Sequence, residues 1–209
     1  CYLAGNCEKF VDLSLKSGCE YVDKIIIVYD LSSKDNTKKK LDEWKNKLGD
    51  KLIILEKEYK HNLSERGANS EQRNFYLTFL QENFDGDFCL VLDMDEICGD
   101  GIFKLKEILS TTFKENEYPL ISPRMVHLIY SFGTEDATRD VHYVPNRLFR
   151  IHKNLFYPHP SEHPILQNKE PYNRLMLNLL VIYHLAYCKE MFYVFERFLN
   201  HKAKSDIHS

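Results

Sequence analysis

The sequence predicts an α/β fold in which a mostly parallel central sheet is flanked by helices and followed by a smaller region of mixed strands. Three observations lead there. Strand-like and helix-like signals alternate through the first half, the order that builds a parallel sheet covered by helices. Two apolar runs in that half end in acids, at Asp30 and Asp93. Past residue 113 the pattern changes to strand-like runs separated by polar loops.

Taken in order, a helix is expected from about residue 8 to Gly18, carried by Phe10 and Leu13. KIIIVYD (24–30) reads as a buried strand, and SSKDNT (32–37) supplies turn and N-cap residues. The helix that follows shows one apolar stripe, Leu41, Trp44 and Leu48, and stops at Gly49 and Asp50. A short strand over 52–55, a polar loop over 61–69 and a helix over 70–83, packed through Phe75, Phe79 and Leu80, lead to a central strand over 88–93. After a helix over 100–113, strands are expected over 120–130, 143–151 and 179–187. The polar loops over 133–140 and 157–164 are of the kind that carry sites, and a last helix is expected over 189–201.

The bulk properties narrow the function classes. A chain of 209 residues is expected to form one domain, with a ligand-binding half over 1–98 and a second half over 99–209. A formal net charge of −3 argues against a nucleic-acid binder held by phosphate contacts. The 44% hydrophobic content fits a folded protein rather than a disordered one. Six scattered cysteines with no CxxC pair read as reduced thiols. The longest apolar stretch, 175–187, holds Asn178 and His184 and falls short of the roughly 20 residues that span a bilayer, so no transmembrane segment is expected. The chain opens at Cys1 without an initiator Met, which reads as a trimmed chain or a piece of a larger protein.

The strongest chemical signal is FCLVLDMDE (88–96), an apolar strand running into three carboxylates separated only by Met94. Strand alternation would put Asp93 and Asp95 on one side and Met94 on the other, so two carboxylates converge on one hard cation, magnesium or manganese. The plainer reading is acids solvating a strand end. In open α/β sheets, however, ligands gather at the carboxyl ends of strands, and Asp30 would arrive at the same edge.

Three segments, in order, resemble the family-two glycosyltransferases and their GT-A relatives: VYDLSSKDNT (28–37), GANSEQRN (67–74) and LVLDMDE (90–96). The resemblance implies a GT-A (nucleotide-diphospho-sugar transferase) fold with a small mixed-strand acceptor region. It also implies a UDP- or GDP-linked sugar donor and a glycan, lipid or protein acceptor. On this pattern Asp30 contacts the nucleobase, Arg73 approaches the diphosphate or donor sugar, Asp93 reaches ribose or metal, and Asp95 ligates Mn2+ or Mg2+. Asp35 and Thr37 are turn and cap residues. Family members usually begin with a strand ending in a Pro-Thr or Arg-Asn-Glu loop, whereas this chain begins CYLAGN, so Ala4 and Asn6 stand in for that loop.

In the second half, NRLFR (146–150) followed by HPSEHP (159–164) resembles the Arg-Leu-Phe-Arg and His-Glu stretch of some bacterial and archaeal members. There an acid lies near the acceptor, and an inverting transfer needs a base for the acceptor hydroxyl, which makes Glu162 the candidate, with His163 and Asp140 as rivals. His184, in the apolar run VIYHLAY, is either a satisfied core histidine or, as the family resemblance implies, a group at the metal or diphosphate. The expectation is thus a metal-dependent, inverting glycosyltransferase, located in the cytoplasm or peripheral at a membrane surface. The competing expectations are an Asp-nucleophile phosphohydrolase, a nucleotidyltransferase of the same fold, whose Gly-rich first loop is missing here, and a non-catalytic sugar-nucleotide-binding domain.

Overall fold

The structure, a computed structural model, describes residues 1–59, 68–99, 101–114, 117–129, 135–136, 145–158, 164–166 and 174–188. Strand β1 (Tyr2–Ala4), helix α1 (Val11–Gly18), β2 (Ile25–Asp30), α2 (Thr37–Leu48) and β3 (Leu52–Lys57) follow in the expected order. Helix α3 (Ala68–Asn83) leads to β4 (Phe88–Leu90), β5 (Leu92–Asp93) and β6 (Glu96–Cys98). A 3-10 turn (Ile102–Lys104) opens α4 (Leu105–Thr112). The rest is strand: β7 (Leu120–Ile129), β8 (Leu148–Arg150), β9 (Leu155–Phe156), β10 (Ile165–Leu166) and β11 (Arg174–Tyr187). The helix expected over 189–201 lies outside the described residues.

One sheet is wholly parallel, in the order β3-β2-β1-β5. Every residue of β2 is buried, and its period of two divides them between two cores. Ile25, Ile27 and Tyr29 join Val11 and Leu15 of α1 and Leu41 and Trp44 of α2. Ile26 and Val28 join Tyr76, Leu77 and Leu80 of α3. Helices therefore cover both faces, which is why the strand reads as a continuous apolar run. Each fully buried Ile or Leu contributes roughly 1.5–3 kcal/mol of transfer free energy.

Helix α1 starts at Val11 rather than at residue 8 because Glu8 is engaged elsewhere. Its N–H donates to Asp35 Oδ2 at 2.9 Å, and its carboxylate accepts the N–H of Asn36 at 2.7 Å. These bonds tie the loop after β1 to the loop after β2. Asp35 also accepts the N–H of Thr37 at 3.0 Å, the turn role expected of it. The buried side of α1, Val11, Ser14, Leu15 and Gly18, follows helical spacing. Ser14 Oγ donates to Glu96 O at 2.6 Å, and Ser17 Oγ accepts Cys98 N–H at 2.9 Å, so α1 fixes β6 in place.

Two expectations need correction. The strand over 88–93 is broken at Val91: β4 pairs antiparallel with β8 while β5 pairs parallel with β1. The break is held by main-chain bonds, since Val91 N–H donates to Arg147 O at 2.7 Å and Leu92 N–H to Cys1 O at 2.9 Å. The mixed region is also not small. It is a five-stranded sheet, β4-β8-β7-β11-β6, against four strands in the parallel one, and β11 begins at Arg174, ahead of the expected 179. Gly99 and Gly101 allow the chain to leave β6 against β11. A Cβ on Gly99 would collide with the Tyr183 ring and one on Gly101, at φ 94°, with Leu179 O.

All six cysteines are free thiols. Among the described residues, no helix is long and apolar enough to cross a membrane.

Candidate functional site

In the parallel sheet, the chain builds outward from β1 to β2 and β3, then returns to the other side of β1 with β5. Strand order reverses between β1 and β5, and open α/β sheets bind ligands at the carboxyl ends of strands at such a reversal. A cavity of about 450 Å³ lies there. Ala4 and Asn6 after β1, Asp30 ending β2, Asp93 and Asp95 around the end of β5, Arg73 from α3 and His184 from β11 all line it. Of the residues the sequence pointed to, Glu162 and its rivals His163 and Asp140 lie outside the described residues. A larger cavity of about 700 Å³ at the amino ends of the strands, beside Ile25 and Phe88, holds none of them.

The loop after β1 is braced, not loose. Asn6 adopts φ 48°, a conformation Asn tolerates, and its Oδ1 accepts Lys34 N–H at 2.8 Å. Its own N–H donates to Ser33 Oγ at 3.1 Å. Asp30 is buried, and its Oδ1 accepts Ser32 N–H at 2.9 Å and Tyr59 N–H at 3.4 Å. The Tyr59 hydroxyl, on the same wall, has no hydrogen-bond partner among the described residues.

Beyond Asp93 the backbone turns at Met94 and Asp95 before β6. Met94 is buried and lines the cavity together with Asp93 and Asp95, so the turn replaces the strand alternation expected to separate them. Asp93 is gripped from two directions: Arg73 donates to Oδ1 at 3.2 Å and Arg147 to Oδ2 at 3.0 Å. About a third of the Asp93 side chain, 34%, stays exposed. Arg147 also donates to Glu96 Oε1 at 2.6 Å, and Glu96 Oε2 accepts the Asp93 N–H at 2.8 Å. Two buried arginines and two carboxylates thereby fix the turn that presents Asp95.

Charge coupling follows from this packing. Burial would raise the Asp93 pKa, but Arg147 and then Arg73 hold the carboxyl well below the usual range. Glu96, 1% exposed, is pushed up to about 8 by burial, which Arg147 opposes and the charge of Asp93 reinforces. Burial likewise works against the charge on Arg73, and Asp93 together with Tyr76 and Tyr157 more than offsets it. The Nε atoms of Arg73 and Arg147 are buried with no partner among the described residues.

Asp95 Oδ2 and His184 Nε2 stand 3.7 Å apart. That is too long for a hydrogen bond and within the roughly 3–4 Å that separates two neighbouring ligands of one ion bound at about 2.1 Å. The carboxylate oxygen suits manganese or magnesium, whereas the imidazole nitrogen is a donor that zinc, iron or nickel takes more readily. Among the described residues no group of three acidic, His or Cys side chains converges, so water and ligand oxygens would complete the shell. Among the described residues, Asp95 and His184 are the two side chains that would hold such an ion.

Two participants escaped the sequence reading. Arg147 was noticed only as part of the NRLFR segment; its place is set by main-chain bonds to Ile121 O at 3.1 Å and from Val91 N–H. His127, on β7, lies directly across from His184 with Nδ1 atoms 3.0 Å apart. A polar residue in each of two apolar strands was the available signal, but their register was not.

No family model matches the chain, and no curated protein matches it. Among solved structures it is similar to the crystal structure of HddC from Yersinia pseudotuberculosis, at 15% identity and a TM-score of 0.48, over 94% of this chain and 97% of that one. A likeness at that level carries no argument about function.

Proposed function

We propose that this chain is a metal-dependent glycosyltransferase with a GT-A-type fold, which moves a sugar from a nucleotide-diphosphate sugar to an acceptor hydroxyl with inversion. One observation supports the reading above the others. Asp30, Arg73, Asp93, Asp95 and His184, drawn from four separated parts of the sequence, line one cavity at the strand-order reversal.

In this reading Ala4, Asn6 and Asp30 border the nucleoside, with Asp30 accepting from the base. Arg73 is held in place by Asp93 and, from the cavity wall, sets its charge beside the diphosphate or the donor sugar. Asp95 and His184 hold Mn2+ or Mg2+, with the exposed part of Asp93 turned to the ion or the ribose; such an ion supplies positive charge to a leaving diphosphate. Glu162 takes the proton of the acceptor hydroxyl of a glycan, lipid or protein. The rival role of Asp93 as a phosphohydrolase nucleophile fits less well, because both of its oxygens accept bonds from buried arginines.

Asp95→Ala is expected to abolish metal-dependent donor binding, and unchanged binding would remove Asp95 from the metal. Glu162→Gln is expected to stop turnover while sparing donor affinity. Full turnover in that variant would move the base elsewhere.

A further inference from the structure

The mechanism above makes no use of His127. Strands β7 and β11 are parallel, and residues 181–184 pair in register with residues 124–127, with irregularities in the ladder on either side. Such irregularities re-aim side chains next to sites. On the other side of β11, His184 pairs with Glu96 of β6. The side chains of His127, His184 and Glu96 therefore form one row across three strands. The two imidazole rings meet edge to face, with centroids 5.0 Å apart and planes at 83°.

At 3.0 Å, one hydrogen lies between the two Nδ1 atoms. With none, two lone pairs would face each other, and with two, the hydrogens would collide. Ownership of that hydrogen decides what His184 offers on its other side. If His127 owns it, neutral His184 carries its proton on Nε2 and turns a donor toward Asp95. If His184 owns it, Nε2 turns a lone pair that way. A cation on Nε2 takes that lone pair, so with the ion bound the hydrogen belongs to His184 and His127 Nδ1, 3.0 Å away, accepts it.

We infer that His127 is a positioning residue: it accepts the Nδ1–H of His184 and so holds the Nε2 lone pair toward the divalent cation shared with Asp95. The inference rests on the cation-binding part of the proposed function and on nothing else in it. Outer partners that fix the tautomer of a ligating histidine typically change metal affinity by roughly 10–100-fold when removed.

The test uses the full chain with the ion alone and no sugar nucleotide. Manganese affinity is read by electron paramagnetic resonance for wild type, His127→Leu, His127→Asn and Asp95→Ala. His127→Leu is expected to weaken binding by about 10–100-fold. His127→Asn is expected to recover most of it, since its carbonyl oxygen stands close to where Nδ1 stood. The second readout needs no variant: in 15N spectra of the magnesium-bound wild type, His184 is expected to carry its proton on Nδ1, with a coupling across the hydrogen bond to His127. A His184 protonated on Nε2 in that spectrum overturns the inference. So does a His127→Leu protein that binds manganese as wild type does while Asp95→Ala has lost it, which leaves the cation reading standing. If Asp95→Ala binds as wild type does, the cation reading itself fails, and this inference with it.

Discussion

At pH 9, where both carboxylates are ionised, replacing Arg147 by Met removes the charge they share while keeping much of the side-chain volume. The guanidinium is 7% exposed and donates at 2.6 Å to Glu96 and at 3.0 Å to Asp93. Two charge-assisted hydrogen bonds are lost, at roughly 1.5–3 kcal/mol each. Asp93 keeps Arg73, whereas Glu96 keeps only the N–H of Asp93 and escapes the full cost of an orphaned charge by binding a proton. The net loss is therefore set at about 3–5 kcal/mol, the range for breaking a buried ion pair. For a chain of this size that lowers Tm by roughly 6–20 °C. Chemical denaturation of wild type, Arg147→Met, Glu96→Gln and the double variant measures both the loss and the coupling. Glu96→Gln is expected to cost far less in the Arg147→Met background than alone. A loss under about 1 kcal/mol for Arg147→Met, or additive losses in the double variant, refutes the claim that this pair holds the Asp95 turn.

Other outcomes follow from the same packing. Glu96 titrates at about 8 in the folded chain, above its ordinary value of about 4.3, so between these values the folded state holds a proton that the unfolded chain has lost. Stability should fall as pH rises through that window and level off above it; denaturation curves from about pH 5 to 9 check the sign, and Glu96→Gln should flatten the slope. The buried Tyr76 hydroxyl donates to the Tyr157 hydroxyl at 2.7 Å, so Tyr157→Phe should destabilise by about 1–3 kcal/mol in urea titrations. Leu41→Ala, at a fully buried position between α2 and the sheet, should cost about 2–5 kcal/mol by the same method without changing ligand binding.

Much of this architecture was legible in the sequence because its signals are local. KIIIVYD reads as a buried strand from its apolar run, and the Leu41, Trp44 and Leu48 stripe marks the apolar face of α2. The acids ending β2 and β5 pointed to the edge where the cavity lies. What stayed hidden depends on contacts between distant segments. Nothing near Val91 announces that the strand changes sheets there, since the cause is the backbone of Arg147 and Cys1. The size of the mixed sheet depends on how β6, β7 and β11 pair, and the short run β6 looks like part of a loop. Asp93 was expected to face metal or ribose alone, and its two arginine partners come from α3 and from the segment before β8. His127 looked like any polar residue in a strand until register set it opposite His184.

The central claim is that the crevice at the strand-order reversal binds a nucleotide sugar through a divalent cation. Calorimetric titration of UDP-sugars and GDP-sugars into the protein, first with manganese and then with the metal chelated, tests it most directly. Manganese-dependent binding of one nucleotide class, lost on chelation, is the predicted result and names the donor base. No binding under either condition would contradict the claim and leave the crevice to a phosphohydrolase or a non-catalytic scaffold.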